Sequence, residues 1–170
     1  NSRVKLIEDG FDMAFRIGVN KDSSLIGQSI ASLPLHLFAS PDYLATIAAV
    51  KNPNDLKNCK CLLMSNHSES GKGMLEDVEG RVTVSDSGQA IINDFLALRN
   101  LAVAGSGVTM LPAYAALKEK QSGRLVQVLP DWSGQKAELT AVYPSRRGAT
   151  TKQRAFIEHV KSWVSKNIDQ

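Results

Sequence analysis

The chain has 170 residues, of which 43% are hydrophobic and 22% are charged, and its 20 basic and 17 acidic residues leave a net charge of +3. This is the composition of a globular protein with a core of its own, and the charge is too small to indicate a nucleic-acid-binding surface. No apolar run is long enough to span a membrane, and no signal-peptide pattern follows Asn1. Because the sequence does not begin with methionine, we interpret it as a fragment or a processed product.

The first third of the chain predicts strands and short helices in alternation. We predict a helix over Ser2–Glu8 closed by Gly10, a strand over Phe11–Gly18, a polar loop over Asn20–Ser24, a strand over Leu33–Ser40 and a helix beginning at Pro41. The mostly apolar content of Phe11–Gly18 favours a parallel strand that is covered on both faces.

The middle of the chain predicts a further set of elements around two cysteines. A short helix should follow Asn52–Leu56, a strand should cover Cys61–Met64, and Val82–Val84 should form a hairpin with Ala90–Ile92. Cys59 and Cys61 do not have the C-x-x-C redox spacing, and a second pair for a zinc site is lacking. A strained bond between them is conceivable, but we expect two reduced thiols, one of them buried, as is typical of a reducing cytoplasm.

The stretch from Asn93 to Pro112 has the clearest local signals. Asn93 and Asp94 are N-cap residues, and apolar residues at helical spacing predict a helix over Phe95–Ala104 that ends at Gly105. Val108–Leu111 should then form a buried strand that Pro112 stops. Helix-to-strand connections this short are typical of α/β domains, whose ligands lie at helix N-termini and strand C-termini.

The C-terminal third continues the alternation. We predict helices over Ala113–Gln121 and Thr151–Lys166 and strands over Leu125–Leu129 and Leu139–Tyr143. In the last helix, Phe156, Val160, Trp163 and Val164 have the spacing of one apolar stripe facing the core. The whole pattern predicts the α/β fold class.

Seven short sequence segments, in this order, resemble segments of the effector-binding domain of LysR-type transcriptional regulators. They are DMAFRIG, FASPDYL, NPNDLKNCKCL, IINDFLALRNLAVAGSGVTMLPAY, GRLVQVLPDW, LTAVYPSRR and KQRAFIEHV, and they span nearly the whole chain. The chain differs from the family pattern at Ser106, where an apolar residue is usual between the two glycines.

The resemblance implies a periplasmic-binding-protein-like fold of two lobes with an effector cleft between them. One lobe would comprise residues 1–34 and 140–170 and the other residues 35–139, and the first lobe would be incomplete because its opening βαβα portion is missing. The implied protein is a cytoplasmic sensor, a homodimer or homotetramer, that binds a small organic anion. It would bind DNA only through a winged helix-turn-helix absent from this chain. No cofactor and no membrane contact are implied.

Three groups of residues are candidates for effector binding. Arg16 ends a predicted strand beside Ile17 and Gly18 and could hold a carboxylate in bidentate fashion, although it could equally be exposed or paired within the protein. The loop of Ser65, Asn66, His67 and Ser68 offers hydroxyl, amide and imidazole groups, and the alternative is a plain surface loop. Asn93 and Asp94 have the residue types that cap a helix, and capping is their main expected role. They would also contact the effector if the N-terminus of this helix faces the effector.

Two other classes of protein are alternatives to the regulator. An enzyme is disfavoured. The one candidate pair of nucleophile and base is Cys61 with His67, and the Cys61 thiol lies in a predicted apolar strand, which disfavours the reactive thiolate. No nucleophile-elbow, P-loop or metal-ligand spacing occurs. A solute-binding protein of a transport system would share the two-lobed architecture and is the alternative function.

Overall fold

The computed structural model describes residues 10–17, 25–65, 72–76, 80–85, 90–144 and 148–168. The predicted helix over Ser2–Glu8 and the predicted loop over Asn20–Ser24 lie outside these residues. The strands are β1 (Ala14–Ile17), β2 (Leu25–Ala39), β3 (Cys61–Met64), β4 (Lys72–Glu76), β5 (Arg81–Ser85), β6 (Ala90–Ile92), β7 (Val108–Pro112), β8 (Val126–Val128) and β9 (Ser133–Pro144). The α-helices are α1 (Pro41–Leu44), α2 (Phe95–Val103), α3 (Ala113–Gln121) and α4 (Thr151–Asn167), and a 3₁₀ helix covers Pro53–Asn58.

The chain divides into two compact units. The first unit comprises Asn1–Leu33 and Lys136–Gln170, and the second comprises Pro34–Gln135. Strands β2 and β9 each contribute residues to both units.

The second unit is built on parallel strands with apolar side chains on both faces. β3 lies between β6 and β7 and runs parallel to both, whereas β7 pairs antiparallel with the end of β2. Neighbouring side chains alternate between two clusters: Leu37 and Cys61 pack in one, and Phe38 and Leu62 pack in the other. Burial on both faces explains why these strands read as continuous apolar runs in the sequence.

The elements around α2 and β7 are where the sequence predicts them. The Asp94 carboxylate caps α2, Gly105 follows the helix with a φ of 78°, and β7 begins at Val108. Helix α3 begins directly after Pro112 and covers the predicted residues Ala113–Gln121. Cys59 and Cys61 are free thiols, as expected, but both are buried, whereas the sequence predicts burial of one.

Two predictions in the second unit are wrong. Strands β5 and β6 exist but do not form a hairpin, because β5 pairs antiparallel with β4 and β6 pairs parallel with β3. The turn signal between them indicates a change of direction and carries no information about the distant partner.

Helix α1 stops at Leu44, where the Thr46 hydroxyl donates a hydrogen bond of 2.7 Å to the Tyr43 carbonyl. This local bond competes with helical continuation.

The first unit differs more from expectation. β1 is four residues long and pairs antiparallel with β9, with Phe15 opposite Ala141, so the predicted parallel strand over Phe11–Gly18 is wrong in length and direction. Its apolar composition does not encode strand direction.

Helix α4 is present, and Thr150 and Gln153 form a capping box at its start. Its predicted stripe is wrong in part: Ile157 and Val164 are the buried residues, whereas Phe156 and Trp163 are 51% and 54% exposed. The smaller aliphatic residues face the core.

Candidate functional site

Ser65 and Asn93 lie side by side at one edge of the second unit's sheet. The Ser65 amide donates a hydrogen bond of 2.9 Å to the Ile92 carbonyl, and Met64 is in register with Ile92. β7 is parallel to β3, with Leu62 opposite Thr109, so its last residue, Pro112, belongs to the same edge. The carboxyl ends of three parallel strands therefore converge here, where open α/β sheets bind ligands.

Asp94 holds the N-terminus of α2 at this edge. Its Oδ1 accepts a hydrogen bond of 2.9 Å from the Ala97 amide, so the predicted capping role is confirmed. The carboxylate satisfies one of the amides that an isolated helix leaves unpaired, and its negative charge opposes the attraction of the helix dipole for anions. Asn93, which precedes it, is exposed.

A second helix N-terminus at the same edge was not among the sequence candidates. Helix α3 starts after Pro112, which as the N-cap residue accepts no hydrogen bond through its side chain. Tyr114 lies in that first turn, and partial burial raises the pKa of its phenol above the ordinary value. The signal was present in the sequence, because Pro112 both ends a strand and precedes a helix.

The other candidates belong elsewhere or lie outside the described residues. Arg16 and Ile17 are half-buried in β1 of the first unit, where they pair with Thr140 and Leu139. Gly18, Asn66, His67 and Ser68 lie outside the described residues, so of the predicted loop the structure places Ser65. The structure brings Ser65, Asn93 and Asp94 together.

The two cysteine thiols of the described residues are buried beside the 3₁₀ helix. The two thiols approach backbone carbonyls of the 3₁₀ helix, with Cys59 Sγ 3.6 Å from the Asp55 oxygen and Cys61 Sγ 3.7 Å from the Leu56 oxygen. Burial raises the pKa of the Cys59 thiol, which disfavours the reactive thiolate. Within the described ranges no group of three or more His, Cys, Asp or Glu residues could hold a metal ion.

The family model of the LysR substrate binding domain matches residues 1–165. The chain belongs to the LysR substrate-binding domain family. It is an effector-binding domain of the kind that LysR-type regulators carry, and this family is one of transcriptional regulators, not of enzymes or transport proteins.

Two HTH-type transcriptional regulators are identical to this chain at about a third of the aligned residues. The HTH-type transcriptional regulator PtxR of Pseudomonas aeruginosa is 32% identical over 161 residues, which are 95% of this chain and 52% of the regulator. An HTH-type transcriptional repressor of P. aeruginosa strain UCBPP-PA14 is 33% identical over 165 residues, again 95% of this chain and 52% of the repressor. The chain thus spans about half the length of these relatives.

Solved regulatory domains have the same fold as this LysR domain. The regulatory domain of AphB from Vibrio vulnificus superposes with a TM-score of 0.70 at 28% identity, covering 95% of this chain and 80% of that domain. The CrgA regulatory domain from Neisseria meningitidis gives a TM-score of 0.77 at 23% identity over 96% of this chain and 80% of that domain. The periplasmic-binding-protein-like fold class inferred from the sequence is therefore confirmed. Among the described helices none is both long and apolar enough to cross a membrane.

Proposed function

We propose that this domain is the sensory part of a cytoplasmic transcriptional regulator, in which a small organic anion changes how the whole protein holds DNA. The match of the LysR substrate-binding family model over residues 1–165 carries this proposal. The relatives of known class are HTH-type regulators about twice as long, which supports DNA binding through a winged helix-turn-helix outside this chain. The regulator would act as a homodimer or homotetramer.

The chemistry of the sheet edge in the second unit supports an anion as effector. Ser65 and Asn93 offer hydroxyl and amide donors, and the first-turn amides of α3 have no side-chain cap. Helix N-termini attract anions because their free N–H groups and the helix dipole act in the same sense. A carboxylate bound near Ser65 would meet these donors directly.

The remaining candidates enter the proposal on the family resemblance. Arg16, Ile17 and Gly18 of the first unit are proposed to contact the effector, with the Arg16 guanidinium as a bidentate partner of a carboxylate. Asn66, His67 and Ser68 are proposed to extend the contacts of Ser65.

A thermal-shift panel of carboxylates, amino acids and neutral metabolites tests the proposed effector class. A carboxylate at 100 times its Kd should add about 2.7 kcal/mol to the free energy of unfolding. Asn93→Ala and Arg16→Ala should reduce that gain, and Asn58→Ala, an exposed asparagine on the 3₁₀ helix, is the matched control. Stabilisation by neutral compounds alone, unchanged by Arg16→Ala, would contradict an anionic effector.

A gel-shift titration tests whether DNA recognition resides outside this chain. We expect the isolated chain to show no sequence-dependent binding at physiological salt, because specific recognition needs an element that reads base edges. A shift that depends on the DNA sequence would contradict this assignment.

A further inference from the structure

Three polar side chains lie in a row between the sheet of the second unit and the end of α3. His36 on β2 and Gln127 on β8 belong to neighbouring antiparallel strands, and Lys120 lies in the last turn of α3. His36 Nδ1 is 3.3 Å from Gln127 Nε2, and Lys120 Nζ is 3.4 Å from Gln127 Oε1. The glutamine amide therefore joins the imidazole ring to the ammonium group.

The ammonium group fixes the orientation of the Gln127 amide. A lysine side chain donates hydrogen bonds and accepts none, so the amide oxygen has to face Lys120. The reversed amide would place its NH₂ group against the ammonium, with donors facing donors. Within the described ranges, Gln127 is the one hydrogen-bond partner of the Lys120 side chain. The orientation of the amide and the position of Lys120 are therefore linked.

The amide in turn fixes the protonation state of His36. Its NH₂ group donates toward Nδ1, which accepts a hydrogen bond only while it carries no proton. Burial first, and the Lys120 charge second, lower the pKa of His36, and a hydrogen bond with the Trp132 backbone raises it. A hydrogen bond that raises the pKa of a histidine is one that the ring donates, so we assign the proton of the neutral ring to Nε2.

The described residues around His36 leave the Gln127 oxygen as the acceptor for which two groups compete. In the ladder with β7, the residue opposite His36 is the apolar Leu111. On α3, the carboxylate of Glu119 is paired with Arg124. Among the described side chains, Lys120 is the charged group that shifts the pKa of His36. A protonated His36 would therefore add a second cation beside a single acceptor oxygen.

We propose that His36 and Lys120 compete for the Gln127 oxygen, so that the three residues form a proton-operated latch between the sheet and α3. Uptake of a proton from solvent at His36 Nδ1 turns this nitrogen into a donor. The Gln127 amide then turns over, its oxygen accepts from Nδ1, and its NH₂ group faces the ammonium. Lys120 loses its acceptor and moves into solvent. Release of the proton restores the first arrangement. We call this trio the His36 latch.

The His36 latch lies within the second unit and includes none of the proposed effector contacts. Its test therefore needs no effector, and failure of the proposed function would leave the latch untouched. The competition also makes a specific demand: the side chains of Gln127 and Lys120 have to respond to the same proton as His36.

A pH titration of the whole chain by NMR tests this demand. The ring signals of His36, the side-chain NH₂ signals of Gln127 and the terminal CH₂ signals of Lys120 should change with one common midpoint. His36→Gln identifies the ring signals and should abolish the other two transitions. Lys118, an exposed lysine one turn away on the same side of α3's last residues, is the control and should show no transition at this midpoint. Signals of Gln127 or Lys120 that do not follow His36 would overturn the proposal.

Variants separate the competition from the plain effect of charge. Lys120→Met should raise the proton affinity of His36 at least about threefold, and Lys118→Met should leave it unchanged. Part of that rise comes from removing a nearby positive charge. Gln127→Met removes the amide, so in this background Lys120→Met should give a smaller rise, one that high salt suppresses. An equal rise in both backgrounds would show that Lys120 acts through its charge alone, which would overturn the proposal.

Gln127→Glu tests the single acceptor directly. A carboxylate accepts hydrogen bonds at both oxygens, so it satisfies the protonated His36 and Lys120 at the same time. The proton affinity of His36 should rise further than in Lys120→Met, and the Lys120 signals should no longer change with the His36 midpoint. Circular dichroism verifies that each variant is folded. A Lys120 transition that persists in Gln127→Glu would overturn the proposal.

Discussion

At the scale of single residues, Gly107 is a described glycine at which both the backbone conformation and the surrounding space oppose a side chain. Its φ is +151°, and a Cβ atom there would overlap the backbone carbonyl of Lys60. That carbonyl accepts a hydrogen bond of 2.8 Å from the Val108 amide, and the Lys60 amide donates one of 2.7 Å to the Tyr43 hydroxyl oxygen. Lys60 is thus held by hydrogen bonds at both its amide and its carbonyl, and moving it away from Gly107 would weaken these bonds.

We therefore expect Gly107→Ala to lower the free energy of unfolding by roughly 3 kcal/mol or more, since backbone strain and steric overlap add together. Urea denaturation measures the loss. Gly123→Ala is the matched control: Gly123 has a φ of +73° with open space around its Cβ position, so strain alone should cost about 1–2 kcal/mol. Equal losses in the two variants would show that the contact with Lys60 is unimportant.

His36 is a residue whose environment predicts a pH effect. It lies on β2, with its Nδ1 3.3 Å from Gln127 Nε2, and the Lys120 ammonium is 3.4 Å from the oxygen of the same glutamine. Burial first, and the nearby Lys120 charge second, lower the pKa of His36 below its ordinary value, against the opposing effect of a hydrogen bond with the Trp132 backbone. A protonated Nδ1 would also face the glutamine NH₂ as a second donor.

Because the unfolded chain takes up this proton more readily than the folded one, stability should fall as the pH drops below about 6.5. His36→Gln should lose less stability than the wild-type chain between neutral and mildly acidic pH, as measured by urea unfolding at each pH. His159→Gln, on the exposed side of α4, controls for removal of a histidine as such. Parallel pH profiles for wild type and His36→Gln would refute the role of His36.

At the scale of secondary structure, the cap of α2 combines a structural and an electrostatic role. Asp94→Ala removes the hydrogen bond to the Ala97 amide and should cost about 1 kcal/mol in the free energy of unfolding. Asp94→Asn keeps an oxygen acceptor at the cap and removes the negative charge, so stability should change little while any carboxylate effector binds more tightly. Urea unfolding and effector titration of both variants measure the two roles. If Asp94→Asn instead weakens effector binding, the N-terminus of α2 does not favour a negatively charged effector.

The sequence predicts elements well where the signals are local. Asp94, Gly105 and Pro112 act through hydrogen bonds and φ values within a few residues, and the predicted bounds of α2, β7 and α3 are close to those found. Strand pairing depends on residues far away in the chain, and the direction of β1 and the partner of β5 were therefore predicted wrongly.

The same distinction applies to the candidate site. Ser65 is a candidate because it follows an apolar strand, and Asn93 because it lies at the start of a helix. Their adjacency depends on the register of β3 with β6, which no local pattern encodes. Helix α4 shows the limit of hydrophobicity as a guide. Phe156 and Trp163 are among the largest apolar residues of the helix, yet Ile157 and Val164 are the side chains that fill the core of the first unit.

At the scale of the whole molecule, the two units differ in how their strands are supported. β7 pairs with β2 on one side and β3 on the other, and its residues Val108, Thr109 and Leu111 are almost fully buried. β1 is four residues long, its side chains are half-buried or exposed, and Phe15 is solvent-accessible beside α4. Opening β1 therefore exposes little new apolar surface, whereas opening β7 disrupts both core clusters of the second unit.

We expect amide hydrogen exchange to separate the units in a dilute sample of verified monomer. The amides of Phe15–Ile17 should exchange through local opening at a lower free energy than those of Val108–Leu111, which should approach the free energy of global unfolding. Native-state exchange followed by mass spectrometry over a range of denaturant concentrations measures both values. Equal protection of the two strands in the monomer would mean that the first unit is as cooperative as the second, and that its exposed aromatic side chains cost it no local stability.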